Sequence, residues 1–298
     1  MWTLGRVDVD QAGSAPGSGN ADRLSASNVG RPSDPRHSER RPPFPPVASA
    51  FRSGRTASAA PTISFILDED PELAQGLSPQ EVSVASALFR AEVIDVSRPR
   101  WQPPGFEPAT TYGLLVLDGL MGRRVRVGSA VATELLGSGD ILRPWDEPTL
   151  WDMIPPELDW RVFRPSRLAV LDERITALIG RRRELVVTFS GRLLRRARSI
   201  AYLTAISHQT RVEGRLIATL WHIASSWGRV TPDGVSVPFR LTHEVLGEII
   251  GAQRPSVTIA MQRLQQHEKV KRMEGGGYLL LGDPADWNSW AEAESPAG

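Results

Sequence analysis

Cysteine is absent from the 298-residue sequence. Without thiols the chain has no disulfide framework, no thiolate zinc site, no iron–sulfur cluster held by cysteine and no catalytic thiol. No run approaches the 18 consecutive apolar residues of a membrane-spanning helix, and the first residues lack the basic-then-apolar order of a secretory signal. The expectation is a cytoplasmic protein without a membrane partner.

Lysine is nearly absent as well. Lys269 and Lys271 are the only two, so almost all of the 35 basic residues are arginines, and they balance 34 acidic residues to a net charge of +1. The balance is uneven: residues 62–160 carry 16 acidic and 7 basic residues, whereas residues 174–211 carry 9 arginines and a single glutamate. An acidic segment followed by a basic one predicts that the C-terminal part faces a polyanion such as DNA.

The N-terminal half divides into two stretches of different composition. Residues 1–60 contain 9 Ser, 7 Pro and 6 Gly without a strand or helix period, which predicts a disordered arm. Residues 62–171 hold short apolar or alternating runs between Gly and Pro residues, which favours strands of a small antiparallel barrel or sandwich. These runs are Phe89–Val96, Tyr112–Leu117, Arg123–Val127, Val131–Leu136 and Trp160–Leu171, the last predicted as a strand pair.

Between residues 172 and 208 the period becomes helical. An apolar stripe recurs at helical steps and consists of Leu185, Phe189, Leu193, Ile200 and Leu203. A long helix with a narrow stripe favours a partner helix, and a two-fold dimer is the simplest way to supply one. The alternative is a helix that packs only within its own chain.

Residues 211–283 follow the order helix, hairpin, helix, turn, helix, hairpin, which is the plan of a winged helix-turn-helix, and residues 284–298 form a polar tail. Thr242 is placed to cap a helix that ends at Ile250, and Arg254–Gln266 is predicted as the second helix of the motif. In such a motif this second helix enters the major groove of DNA.

The second helix carries polar side chains opposite its apolar positions. Arg254 can donate two hydrogen bonds to O6 and N7 of guanine. The hydroxyls of Thr242 and Ser256 lie where phosphates are commonly bound. The predicted DNA-binding residues are Thr242, Gln253, Arg254, Ser256, Thr258, Ile259, Gln262, Arg263 and Lys271.

Three runs carry a resemblance to a known family. They are Gly214-Arg-Leu-Ile-Ala-Thr-Leu220, Gly228-Arg-Val-Thr-Pro-Asp-Gly234 and Leu241-Thr-His-Glu-Val-Leu-Gly-Glu-Ile-Ile-Gly-Ala-Gln-Arg-Pro-Ser-Val-Thr258. Together they resemble the DNA-binding domain of the cyclic-AMP receptor protein/Fnr (Crp/Fnr) family. The resemblance implies an α+β chain with a β-roll of the cyclic-nucleotide-binding type over 62–171, a dimerisation helix over 172–208 and a winged helix-turn-helix over 211–283. It also implies a homodimeric bacterial transcription regulator on a palindromic operator, with RNA polymerase as a possible further partner.

The sequence departs from the family's pattern in both halves. Ile259 stands where the family often has a second base-reading arginine, and Gln253 replaces the usual serine cap. The nucleotide cassette of the family needs Gly-Glu followed by Arg-Ser or Arg-Thr, and neither pair follows the Gly137–Asp140 turn. A cyclic nucleotide is therefore not expected, no cofactor is predicted, and a haem on a lone histidine stays open. Arg143 and Trp145 are the candidates for an effector site.

No spacing of carboxylates, histidines or hydroxyls indicates an enzyme. The alternative to a transcription regulator is a small-molecule-binding or protein-interaction module whose helix-turn-helix is only structural.

Overall fold

The computed structural model describes residues 62–104, 110–145, 154 and 156–286. The predicted arm over 1–60 and most of the predicted tail, from residue 287, lie outside these residues. The helices are α1 (Ile66–Glu69), α2 (Pro79–Leu88), α3 (Glu173–Gly180), α4 (Arg183–Ser207), α5 (Val212–Trp227), α6 (His243–Ile250) and α7 (Arg254–Gln266), with 3-10 turns at Pro71–Ala74 and Pro284–Asp286. The strands are β1 (Thr62–Phe65), β2 (Arg90–Val96), β3 (Arg100–Trp101), β4 (Gly113–Val127), β5 (Ala130–Gly137), β6 (Ile141–Leu142), β7 (Glu157–Leu171), β8 (Arg229–Thr231), β9 (Gly234–Val237), β10 (Val270–Arg272) and β11 (Tyr278–Leu280).

The first seven strands form one antiparallel sheet in the order β1-β2-β7-β4-β5, with β3 on β7 and β6 on β4, and this sheet with α1 and α2 is called the β-roll below. Strands β4 and β7 are 15 residues long and pair along most of their length. The sequence predicted two strands within β4 and a strand pair within β7, and both predictions were wrong. The register shifts around Asp118–Leu120, where Gly119 has φ of +112° and a Cβ would lie 2.4 Å from the Cα of Ser166. The glycine therefore marks a bulge that bends β4 without ending it.

Helices α1 and α2 lie in a stretch that the sequence predicted as strand-like. Ser78 caps α2 by accepting a hydrogen bond from the amide of Glu81, whose carboxylate accepts one from the amide of Ser78, and Pro79 occupies the first turn. This reciprocal capping box with a proline behind it is a local helix signal. The prediction missed it because the apolar positions of α2 are few, and none of its residues is fully buried.

The predicted long helix consists of two helices, α3 and α4, separated at Arg181 and Arg182. The prediction that the apolar stripe forms a dimer seam is wrong for the N-terminal part of the stripe. Leu185 and Phe189 are 1% and 0% exposed and pack against the core of their own β-roll, with Leu193 partly buried beside them. Without α4, the core of the roll would be exposed to solvent on this side. These apolar residues of α4 therefore cover it.

The winged-helix domain has a second antiparallel sheet in the order β10-β11-β9-β8 beside α5, α6 and α7. The hydroxyl of Tyr278 on β11 donates to the carbonyl of Leu241 at 2.9 Å, which ties the wing to the start of the helix-turn-helix. The core of this domain also includes Leu120 from β4, with Leu135 and Phe163 packed against it. One apolar cluster thus joins the winged helix to the roll.

Charged side chains reinforce this junction through the β4–β5 hairpin. Arg124 on β4 donates to Glu248 on α6 at 2.9 and 2.6 Å, and the hydroxyl of Thr133 on β5 donates to the same carboxylate at 2.6 Å. The side chains of Arg124 and Glu248 are 18% and 10% exposed, so water screens the pair only weakly.

The other face of the same hairpin contacts α4. Glu134 pairs with Arg123 at 3.0 Å and accepts two hydrogen bonds from Arg196 of α4 at 2.6 and 2.9 Å. Successive side chains of a strand point to opposite faces, so neighbouring residues of one hairpin hold α4 on one side and α6 on the other.

We expect Glu248→Ala to lower the free energy of unfolding by about 2–4 kcal/mol, because it leaves Arg124 and Thr133 buried without their acceptor. Urea unfolding at neutral pH measures this. Glu244→Ala on the exposed face of α6 is the control and should cost less than about 1 kcal/mol. Equal losses in the two variants would mean that the contact does not stabilise the junction.

Candidate nucleic-acid interface

A tight turn sets the angle between α6 and α7. Thr242 caps α6 by accepting a hydrogen bond from the amide of Val245 at 3.3 Å. Gly251 ends the helix in the left-handed region at φ 66° and ψ 42°, a conformation that glycine adopts without strain. A Cβ at Gly247 would lie 2.4 Å from the carbonyl oxygen of Ala252, so the turn folds back on α6 closely enough to require glycine.

Helix α7 spans the residues predicted from the sequence and begins with Pro255 in its first turn. Gln253 stands at the N-cap without a side-chain hydrogen bond to the helix, and glutamine is a poorer N-cap than the serine usual in the family. The residues that α7 buries in the domain core are Val257, Ala260, Met261 and Leu264. The opposite face is exposed, and Ile259 is 51% exposed near its centre with Gln262 one turn further on.

One edge of the exposed face is fixed by contacts to α6. The hydroxyl of Thr258 donates to the carbonyl of Arg254 at 3.0 Å and lies 2.9 Å from Nδ1 of His243. Because the hydroxyl of Thr258 donates its single proton to the carbonyl of Arg254, its oxygen accepts a hydrogen bond from the ring N–H of His243. Burial lowers the pKa of His243, and the cations of Arg272 and Arg254 lower it further. The sequence did not show that His243 orients this edge of α7.

The other edge is held by α5. Arg263 donates to Glu213 at 2.5 Å, so its guanidinium is directed toward its own domain. Ser256, on the same side, is half-buried. Arg263 is therefore placed less favourably for reaching bases than Gln253, Arg254, Ile259 and Gln262, which share the exposed side, and the predicted phosphate contact of Ser256 stays a prediction.

The wing adds positive charge beside the helix-turn-helix. Lys271 and Arg272 are exposed on β10, which pairs with β11 through the register Lys271 to Leu279. Exposed cations on a hairpin beside the recognition helix are suited to backbone phosphates, which carry no sequence information.

The two predicted effector residues serve the roll itself. Arg143 donates to the carbonyls of Thr111 and Tyr112 at 2.8 and 2.9 Å, and its guanidinium lies 5.5 Å from the centre of the Trp145 ring. These contacts connect the end of β6 to the start of β4. The guanidinium of Arg143 therefore stabilises the roll.

The Gly137–Asp140 turn places a carboxyl in a poorly solvated position. Asp140 accepts a hydrogen bond from the amide of Gly137 at 2.9 Å, yet burial raises the pKa of Asp140 to about 6. The folded state therefore holds a proton that the unfolded chain, with an ordinary aspartate pKa near 4, releases.

We expect stability to fall as the pH rises from about 4 to about 6, since the folded state binds more protons in this window. Asp140→Asn should remove this part of the pH dependence and stabilise the protein at pH 7 by up to about 3 kcal/mol relative to the wild type. Urea unfolding of both proteins across the window measures the difference, which should vanish near pH 3.5. Parallel curves would contradict the shifted pKa.

Within residues 62–104, 110–145, 154 and 156–286, no group of three or more His, Asp or Glu residues is arranged to hold a metal ion. No helix of this described part is long and apolar enough to cross a bilayer.

Comparison with known proteins gives one match to the C-terminal domain and several to most of the chain. A family model described as a Crp-like helix-turn-helix domain matches residues 214–286. Among solved structures, a mutant of CooA from Carboxydothermus hydrogenoformans is similar with a TM-score of 0.50 at 15% identity, over 68% of this chain and 88% of that chain. A CRP-family transcriptional regulator from Thermus thermophilus gives 0.49 at 17% identity, over 69% and 100%. A CRP/FNR-family regulator from the same organism gives 0.46 at 21% identity, over 67% and 98%. No curated protein matches the sequence.

The likeness to CooA shows the fold, and the α+β class predicted from the sequence is confirmed. The family model identifies the C-terminal domain, so the predicted resemblance is confirmed as well.

Proposed function

Because residues 214–286 belong to the Crp-like helix-turn-helix family and the chain has the Crp/Fnr fold, we propose that this protein is a cytoplasmic transcription regulator that binds a palindromic operator as a homodimer. RNA polymerase is the further partner that such a role implies. The observation that carries the proposal is the exposed face of α7, which presents Arg254, Ile259 and Gln262 beside the cations of the wing.

Arg254 is the proposed base-reading residue. It is exposed in the first turn of α7, and no hydrogen bond of its guanidinium is made among the described side chains. An arginine at this point can donate two hydrogen bonds to guanine in the major groove. Ile259 contributes only apolar contact, which suits a thymine methyl group.

We expect Arg254→Ala to weaken operator binding by about 1–3 kcal/mol and to relax preference at one base pair in each half-site. The operator comes from selection on random duplexes, and fluorescence anisotropy on that operator and on scrambled DNA gives the affinities. Lys271→Ala should instead weaken both DNAs alike and reduce the salt slope by about one.

Arg263→Ala is the matched control on the same helix, since its ion pair to Glu213 directs it away from the bases; it should leave base preference unchanged. An equal loss for Arg254→Ala on operator and scrambled DNA would refute its base-reading role. A selection without an enriched palindrome would favour the module whose helix-turn-helix is only structural.

The dimer is proposed through the face of α4 opposite the roll. Val187, Leu194 and Ala201 recur there at steps of seven residues, with Ala197 and Thr204 three residues after the last two, and all five are exposed. Val187 and Leu194 are 66% and 57% exposed. This is a heptad pattern of mostly small residues, so a second copy of α4 fits it as a closely packed coiled coil. It is rotated by about a third of a turn around the helix from the predicted stripe.

We expect Leu194→Glu to convert the dimer to monomer in sedimentation velocity, because it places a charge in the apolar seam. Operator affinity should fall by at least about tenfold with it, since one protomer then contacts one half-site. Val84→Glu on α2 is the control: Val84 is 59% exposed but lies outside α4, and that variant should remain dimeric. A dimeric Leu194→Glu protein would place the interface elsewhere.

A further inference from the structure

A large cleft lies where the roll, α4 and α5 meet. Its volume is about 810 Å³, within the range of small-molecule sites. The Gly137–Asp140 turn forms one wall, the C-terminal half of α4 the second and α5 the third. Neither Arg143 nor Trp145 lines it, so it is separate from the effector position predicted from the sequence.

The acidic groups of the cleft are already paired. Glu134 is bound by Arg196, Glu72 lies 3.2 Å from Arg192, and Asp140 accepts a hydrogen bond from the turn. These contacts use the acidic side chains of the lining and hold two of its four arginines against the protein.

The other two arginines are not held by a direct contact, although burial raises the pKa of Asp70 and the charge of Arg195 is among those that oppose this rise. Arg195 and Arg198 line the cleft from exposed positions on α4, and neither makes a hydrogen bond or ion pair with another side chain of the described chain. Both lie outside the proposed heptad seam. Two free guanidiniums at one opening are suited to a carboxylate or phosphate, which each can bind with two parallel hydrogen bonds.

Aromatic surface lies next to these cations. The rings of Tyr202 and His222 are in tilted contact, with 4.9 Å between their centres and 35° between their planes, and Oγ of Ser199 lies 2.6 Å from Nε2 of His222. Burial lowers the pKa of His222, which keeps the ring neutral and available for stacking. Trp221 and Trp227 complete the α5 wall.

From this combination we propose that the cleft binds a planar aromatic molecule that carries a carboxylate or phosphate. The anionic group pairs with Arg195 and Arg198, and the ring lies against Tyr202 and His222. Such a ligand contacts the roll, the proposed dimer helix and the first helix of the DNA-binding domain at once. The proposal does not depend on the DNA-binding role.

Isothermal titration of the full-length protein tests the site with 2-naphthoate and 2-naphthyl phosphate, and with 2-naphthamide as the neutral analogue. We expect one saturable site per chain for at least one anion and at least about tenfold weaker binding of the amide. The double variant Arg195→Gln/Arg198→Gln should weaken the anion by at least about tenfold, and His222→Ala should weaken both anion and amide.

The control variant Arg181→Gln/Arg183→Gln removes two exposed charges outside the cleft and should bind as the wild type does. The proposal fails if neither anion saturates at millimolar concentration, if the amide binds equally well, or if the cleft and control variants behave alike. It also fails if the cleft variant becomes monomeric in sedimentation velocity, because the two arginines would then belong to a contact between protomers.

Discussion

The β4–β5 hairpin is the constraint on which the arrangement of this protein depends. On one face Glu134 holds Arg196 of α4, and on the other Arg124 and Thr133 hold Glu248 of α6. The alternation of side chains along a strand makes this possible, since two neighbouring residues necessarily point to opposite sides. The position of the helix-turn-helix relative to α4 therefore follows from a single two-stranded element, and an apolar cluster through Leu120 seals the same junction.

At the candidate interface, neighbouring helices of the same domain orient side chains on both edges of α7. His243 fixes Thr258 at one edge of α7, and Glu213 draws Arg263 to the other. The side chains between these edges are free to contact DNA, and Arg254 is the one whose geometry can discriminate a base pair. Ile259 at the centre makes the exposed face more apolar than a second arginine would, which points to contacts with thymine methyl groups.

Agreement between sequence and structure is best in the helix-turn-helix, where the signals are local. The bounds of α6 and α7 follow from Thr242, Gly251 and Pro255, which act within a few residues of themselves. Agreement is poor where a distant segment decides. The bulge at Gly119 exists because β7 passes directly beneath it. The Asp118-Gly119 pair, which resembled the end of a strand, is therefore a bend within β4. The N-terminal part of the apolar stripe of α4 was misassigned for the same reason, since the roll buries Leu185 and Phe189.

The sequence alone determined that cysteine chemistry is excluded, that charge is segregated along the chain and that the C-terminal part is a winged helix-turn-helix, because composition and short motifs carry these facts. Tertiary structure decided which face of α4 is open, that Arg143 serves the backbone of the roll and that Arg195 and Arg198 meet aromatic surface in one cleft. These outcomes depend on side chains that lie far apart in the chain, and no local pattern specifies which of them meet.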